Sequence, residues 1–276
     1  MGNKRWTNHE LNVLKLNYGK ISIKEISKLI DRTEDAIQNK GRQLGLKYED
    51  KYNYDIDYFE HIDNFDKAYW LGFIYADGYV SYNEEKRNYE FGIKLMKSDF
   101  KHLKKLNKCL KGNINISFHK RQTFLKYGIN KYYEDCVIRL YSKKFVENLI
   151  DKGVIPNKTL DIKFPKLNED LTWCFIRGYM DGDGHICIPK QNSKYGYRIG
   201  FTCASESFLI YLKNFLNKYG IISHINIDKK NGHTYKLEIR EKQSIITYLE
   251  NCYKNDTIYL DRKYEKYKIL YKLLRQ

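Results

Sequence analysis

The chain has 276 residues, with 50 Lys and Arg against 34 Asp and Glu, a formal net charge of +16. A polyanion is the partner such a balance favours, and the length allows roughly two domains with real cores. The six cysteines, Cys109, Cys136, Cys174, Cys187, Cys203 and Cys252, form no CxxC and have no His at zinc-finger spacing, so they are expected to be free, mostly buried thiols. No basic-then-apolar leader opens the chain and no apolar run reaches membrane length, which predicts a soluble, cytoplasmic protein.

Residues 4–46 predict three short helices. Thr7 with Glu10 makes a capping box before Leu11, Leu14 and Tyr18. Ile23, Ile26, Leu29 and Ile30 form the apolar face of a second helix. Asp31, Arg32 and Thr33 turn the chain, and Thr33 caps a third helix that Gly45 ends, the order of a helix-turn-helix. Its exposed side offers Gln38, Asn39, Lys40, Arg42 and Gln43, side chains able to read base edges or hold phosphates. A solvated face on a small bundle has the same pattern. Trp6-Thr7, Glu10, Glu25-Ile26, Arg32-Thr33, Ala36-Ile37 and Leu44-Gly45-Leu46 resemble Myb/SANT-related modules, which implies DNA binding.

From Lys47 to Asp66 the chain is Tyr-rich and locally acidic, a composition ill suited to DNA phosphates. Two similar stretches then organise the rest, Trp70 to Gly78 (WLGFIYADG) and Ile176 to Gly184 (IRGYMDGDG). Each places small residues four apart, Gly72 with Ala76 and Gly178 with Gly182, on one helical face where a second backbone can lie close. Phe73, Ile74, Tyr179 and Met180 are expected in the core. Gly78 and Gly184 are expected to stop their helices in the left-handed conformation. If the two helices pack together, Asp77 and Asp183 meet at one end.

The segments after the two aspartates also repeat one another. Alternating strands lead to Ser98-Asp99 or Ser205-Glu206 opening a helix, then further strands and a closing helix. The order in each half is αββαββα, an α+β unit with helices on one face of an antiparallel sheet. The opposite faces carry Lys94, Arg121, Lys126, Lys131 and Arg139 in one half and Lys190, Arg198, Lys229, Lys236 and Arg240 in the other, so a twisted pair of sheets is expected to grip duplex DNA.

The paired motifs, with Arg177 to Gly184 and Tyr259-Leu-Asp-Arg-Lys-Tyr264, resemble single-chain LAGLIDADG homing endonucleases, phage and group I intron members among them. The resemblance spans residues 58–275. It implies a pseudo-two-fold pair of αββαββα repeats forming a DNA-binding saddle, here preceded by the small all-α helix-turn-helix domain. It also implies a monomer that breaks both strands of a long DNA site with Mg²⁺ or Mn²⁺. The metal carboxylates map onto Asp77 and Asp183, with carbonyl help from Ala76 and Gly182, and hard oxygen donors of this kind suit magnesium. The sixth motif position differs, Tyr75 in one copy and Asp181 in the other, and Asp181 is expected either to support the site indirectly or to cap its own helix.

Family members often carry a lysine near each cleavage centre, and Lys158 and Lys263 match; a lysine closing a turn gives the same signature. The domain plan is then 1–46 helix-turn-helix module, 47–65 linker, 66–153 first repeat, 154–170 inter-repeat linker and 171–276 second repeat. A rival of another class is a non-cleaving binder on the same scaffold, an intron maturase acting on RNA or a transcription regulator. Both motif aspartates are present, which favours the enzyme.

Overall fold

Three hydroxyl side chains start the three amino-terminal helices. In the computed structural model, which describes residues 5–46, 54–124, 130–156, 162–189, 196–227, 234–254 and 258–276, the helices are α1 (Asn8–Asn17), α2 (Ile23–Ile30) and α3 (Glu34–Gln43). Thr7, Ser22 and Thr33 accept the amide N–H of Glu10, Glu25 and Ala36, and the first two complete capping boxes. Leu14, Tyr18, Ile23, Ile26, Ile30 and Ile37 form a separate small core. Arg32 ties it together: its guanidinium lies over Trp6 and donates to Glu10 and to the Arg5 carbonyl. That hydrogen bond to Glu10, with those from Thr7, holds the Glu10 carboxyl down at about 2. These helices lie in one compact unit, Met1–Asn53; Tyr54–Gln276 form the other.

The second unit begins with a short segment whose Tyr58 and Phe59 are already core. It then runs α4 (Phe65–Asp77), β1 (Gly78–Asn83), β2 (Asn88–Met96), α5 (Phe100–Cys109), β3 (Ile116–Phe124), β4 (Asn130–Tyr141) and α6 (Lys143–Asp151). The same order returns as α7 (Glu169–Asp183), β5 (Gly184–Cys187), β6 (Arg198–Cys203), α8 (Glu206–Asn217), β7 (His224–Ile227), β8 (Tyr235–Ile239) and α9 (Lys242–Cys252), and α10 (Asp261–Arg275) closes the chain. Both sheets are antiparallel, ordered β1-β2-β4-β3 and β5-β6-β8-β7. The αββαββα order read from the repeats is the observed one.

Alternation along the strands divides each sheet into two faces. Phe91, Ile93, Leu95, Cys136, Ile138 and Leu140 of the first sheet and Ile199, Phe201, Leu237 and Ile239 of the second are buried in one continuous core. Helices cover those faces, and the opposite ones meet solvent. The chain's tail returns to the first repeat: on α5 and the turn before it, Lys105 donates to Asp261 at 2.6 Å and to the Tyr259 carbonyl, while Arg262 donates to Asp99 at 2.9 Å.

The helix-ending glycines differ from expectation. Gly78 and Gly184 are extended, at φ −83° and −80°, not left-handed. Glycine is needed there for space, because each strand leaves by folding sharply over the last turn of its helix. A methyl on Gly78 would lie 2.9 Å from both the Cα and the carbonyl oxygen of Ile74, and one on Gly184 2.6 Å from the Met180 carbonyl oxygen. All six cysteines are free thiols, four of them buried. Among the described residues no helix is long and apolar enough to cross a membrane.

Candidate active site and nucleic-acid surface

Asn64 and Asn168 cap α4 and α7 by accepting the Lys67 and Leu171 amides, and the two helices then cross backbone against backbone. A methyl on Gly72 would fall 2.0 Å from the Phe175 carbonyl oxygen, one on Gly178 1.9 Å from that of Tyr69, and one on Gly182 2.3 Å from the Ala76 methyl. No side chain larger than hydrogen fits at those three crossings. The same hypothetical methyl on Gly182 would stand 3.2 Å from Asp77 Oδ2, so the Asp77 carboxylate lies against the residue that precedes Asp183. Burial lifts the Tyr179 phenol well above its ordinary range, and the charges of Asp183 and Asp77 push it the same way. With Asp77 against Gly182, the residue next to Asp183, the two carboxylates stand at neighbouring helix ends, where each helix hands over to its sheet. Asp77 is half-buried and Asp183 exposed, and a cavity of about 230 Å³ lined by Ala76, Tyr179, Asp183 and Thr202 opens beside Asp183.

Among the described residues no cluster of three His, Cys, Asp or Glu side chains could hold a metal. Soft or all-side-chain metal centres are poor fits to what remains. A pair of carboxylates beside backbone carbonyls fits a hard divalent cation that keeps water and shares phosphate oxygens.

Two buried groups brace the second helix end. Lys263, 5% exposed, donates to the carbonyls of Met180 and Gly184, spanning the exit turn that Asp183 occupies. Burial pulls its ammonium down to about 8, against the opposing charges of Asp181 and Asp77. Asp181, fully buried, accepts the Tyr69 hydroxyl at 2.7 Å and the Leu260 amide at 2.6 Å, and burial lifts it to about 6. It thus does not cap its own helix: it joins α4, α7 and the lead into α10. Because Tyr69 donates to Asp181, its oxygen accepts from His102 Nε2 at 3.0 Å. Burial holds that imidazole neutral, with a pKa near 3. At the matching place in the first copy, Tyr75 donates to the Lys152 carbonyl at 2.6 Å.

Family models match both halves: a LAGLIDADG-like domain over residues 172–253 and a WhiA LAGLIDADG-like domain over residues 66–130. The chain carries two LAGLIDADG-like domains. Similar solved structures include the LAGLIDADG homing endonuclease I-GzeII in complex with a DNA target, at 15% identity over 75% of this chain and 89% of that one, TM-score 0.51. The LAGLIDADG meganuclease I-CpaMI bound to uncleaved DNA is similar at 14% identity over 77% and 92%, also TM-score 0.51. At such identities the likeness is one of fold. No curated protein matches the chain.

On the solvent faces of the LAGLIDADG sheets stand Lys94, Arg121, Arg139, Arg198 and Lys236, as strand alternation predicts, and Arg240 follows directly on the end of β8. Those faces are not uniformly basic. Asp135 is held by Arg121 and by Lys94 at 3.1 Å, Glu90 faces Arg139 at 3.3 Å, and Glu238 holds Arg240 at 2.5 Å and faces Arg198 at 3.8 Å. Hydrogen bonds from Arg121, then from Lys94, keep the Asp135 carboxyl below the usual carboxylate range despite its burial. These acids share the alternation that identifies the bases, and a search for positive charge alone passes over them. Lys126, Lys158, Lys190 and Lys229 lie outside the described residues, as does the side chain of Lys131. In the amino-terminal unit, Asn39, Arg42 and Gln43 are exposed on α3 while Gln38 and Lys40 are half-buried.

Proposed function

We propose that the chain is a site-specific DNA endonuclease, a monomer with internal pseudo-symmetry. It binds double-stranded DNA on the solvent faces of its two sheets and hydrolyses one phosphodiester in each strand, leaving a staggered break. The observation that carries this reading is the glycine-permitted crossing of α4 and α7, which sets the Asp77 carboxylate against Gly182 and so beside Asp183.

Asp77 and Asp183, with the carbonyls of Ala76 and Gly182, would hold Mg²⁺ or Mn²⁺. Such an ion, when bound, acidifies the attacking water and stabilises the leaving oxygen. The chain's own residues supply the rest. Packed glycines fix the spacing of the two carboxylates. Lys263 keeps positive charge at the Asp183 turn, where it offsets phosphate charge that builds during displacement, and Lys158 is assigned the same place in the first half. Lys94, Arg121, Lys126, Lys131, Arg139, Lys190, Arg198, Lys229, Lys236 and Arg240 contact the duplex. Gln38, Asn39, Lys40, Arg42 and Gln43 of the amino-terminal module add flanking contacts, in the manner of a helix-turn-helix.

The test is to incubate purified protein with a randomised duplex library and Mg²⁺, then sequence the ends. One recurring cut with a fixed overhang is expected. Duplex binding without cleavage at any metal concentration would instead support a non-cleaving binder, an intron maturase or a transcription regulator.

A further inference from the structure

The solvent faces of the two sheets carry the same charge pair with its sign reversed. Ile93 of β2 faces Gly78 and Ile138; Phe201 of β6 faces Gly184 and Leu237. Aligned on those contacts, Glu90 takes the place of Arg198, and Arg139 the place of Glu238. The setting is shared: the Tyr79 ring fills the space beside Gly92, and the His185 ring the space beside Gly200. One half therefore presents its arginine on β4 and the other on β6, each over a carboxylate. Asp135 repeats the device beneath Arg121 and Lys94.

In every case the acid lies below and the cation above. The side chains of Asp135, Glu238 and Glu90 are 2%, 11% and 22% exposed, against 30–60% for the five cations they hold. A carboxylate on a face that meets DNA repels phosphate, so for simple affinity it is the wrong residue. Its contribution is orientation. A cation already matched in charge has less to gain from a phosphate, yet an arginine fork fixed from beneath can still bond both acceptors of a guanine edge, which is neutral. Less is then lost in ordering the side chain on binding, and random sequence is disfavoured.

We propose that Glu90, Asp135 and Glu238 set sequence discrimination: each is a positioning residue that turns the cations above it from phosphate holders into base readers. This rests on the DNA-binding function proposed for the two sheets.

The experiment compares wild type with Glu90→Gln, Asp135→Asn and Glu238→Gln. Each is titrated with a random-sequence duplex pool, and with the duplex that wild type enriches from that pool, across a salt series. Releasing a cation should raise affinity for the pool roughly threefold to tenfold and steepen its salt dependence by about one unit per freed charge. Discrimination should fall, at one set of base pairs for Glu90→Gln and another for Glu238→Gln. Unchanged pool affinity and salt slope, or intact discrimination in all three, would overturn the proposal. Glu90→Gln decides the matter should the more buried Asp135→Asn unfold. A wild type that binds no duplex at all would overturn the DNA reading itself.

Discussion

Substituting Gly178 by alanine sets two physical effects against each other. In a helix interior alanine is favoured over glycine by about 1 kcal/mol, so local propensity alone predicts a more stable protein. Packing predicts the opposite. The new methyl would sit 1.9 Å from the Tyr69 carbonyl oxygen and 2.8 Å from the Phe73 nitrogen. Both are backbone atoms of α4, which cannot rotate aside, and the nearer is at least an ångström short of contact distance. The helices must part, and their flanking side chains lie in the largest core of the protein. Overpacking of this kind costs roughly 1–3 kcal/mol and sometimes more, enough to cancel the propensity gain and leave a net loss. Displacing α7 from α4 also separates Asp183 from Asp77, and a misplacement of about an ångström can reduce turnover on the order of 100-fold. Urea unfolding of Gly178→Ala, with Gly196→Ala as control because a methyl there meets nothing within 4 Å, measures the first effect, and cleavage rate the second. A Gly178→Ala protein as stable and as active as wild type would refute the backbone crossing.

Buried charge beneath the site makes stability depend on pH in two opposed windows. Lys263 is pulled down to about 8, so between there and the unfolded lysine value near 10.4 the unfolded chain holds more protons and stability rises with pH. Asp181 is lifted to about 6, so from about pH 4 to 6 the folded chain holds more protons and stability falls as pH rises. Unfolding across pH should show Lys263→Met losing the alkaline rise and Asp181→Asn the acid-side fall; unchanged slopes would contradict both placements. Tyr69→Phe removes the donor to Asp181 and the acceptor for His102, leaving buried groups unmatched, and a loss of about 1–3 kcal/mol is expected in the same assay. Removing residues 1–46 should weaken duplex affinity more than the cleavage rate at saturating protein, and unchanged affinity would take the amino-terminal helices off the DNA.

Much of this was legible because its causes are local. Capping hydroxyls, strand alternation and small residues four apart act within one turn or one strand, so Thr7, Ser205, Phe91 and the Gly72/Gly178 stripe each announced their structure. The left-handed ends expected at Gly78 and Gly184 were wrong because the constraint there is not a preference of the chain but the space between an outgoing strand and its own helix. Asp181 and Lys263 were undecidable for a related reason: their partners, Tyr69, Leu260 and Met180, are fixed by how the repeats and the tail pack. The carboxylates under the arginines were missed because their effect depends on which cation stands above, and that is a matter of register between strands.

The central claim, that Asp77 and Asp183 together hold one hydrolytic centre, is most directly tested by cleavage kinetics of Asp77→Asn and Asp183→Asn on the duplex that wild type cuts, with duplex affinity measured in parallel. Each substitution alone should slow Mg²⁺-dependent cleavage by more than the roughly 100-fold that loss of an outlying metal support costs, while the protein still binds its duplex. Cleavage at the wild-type rate by either variant would contradict it.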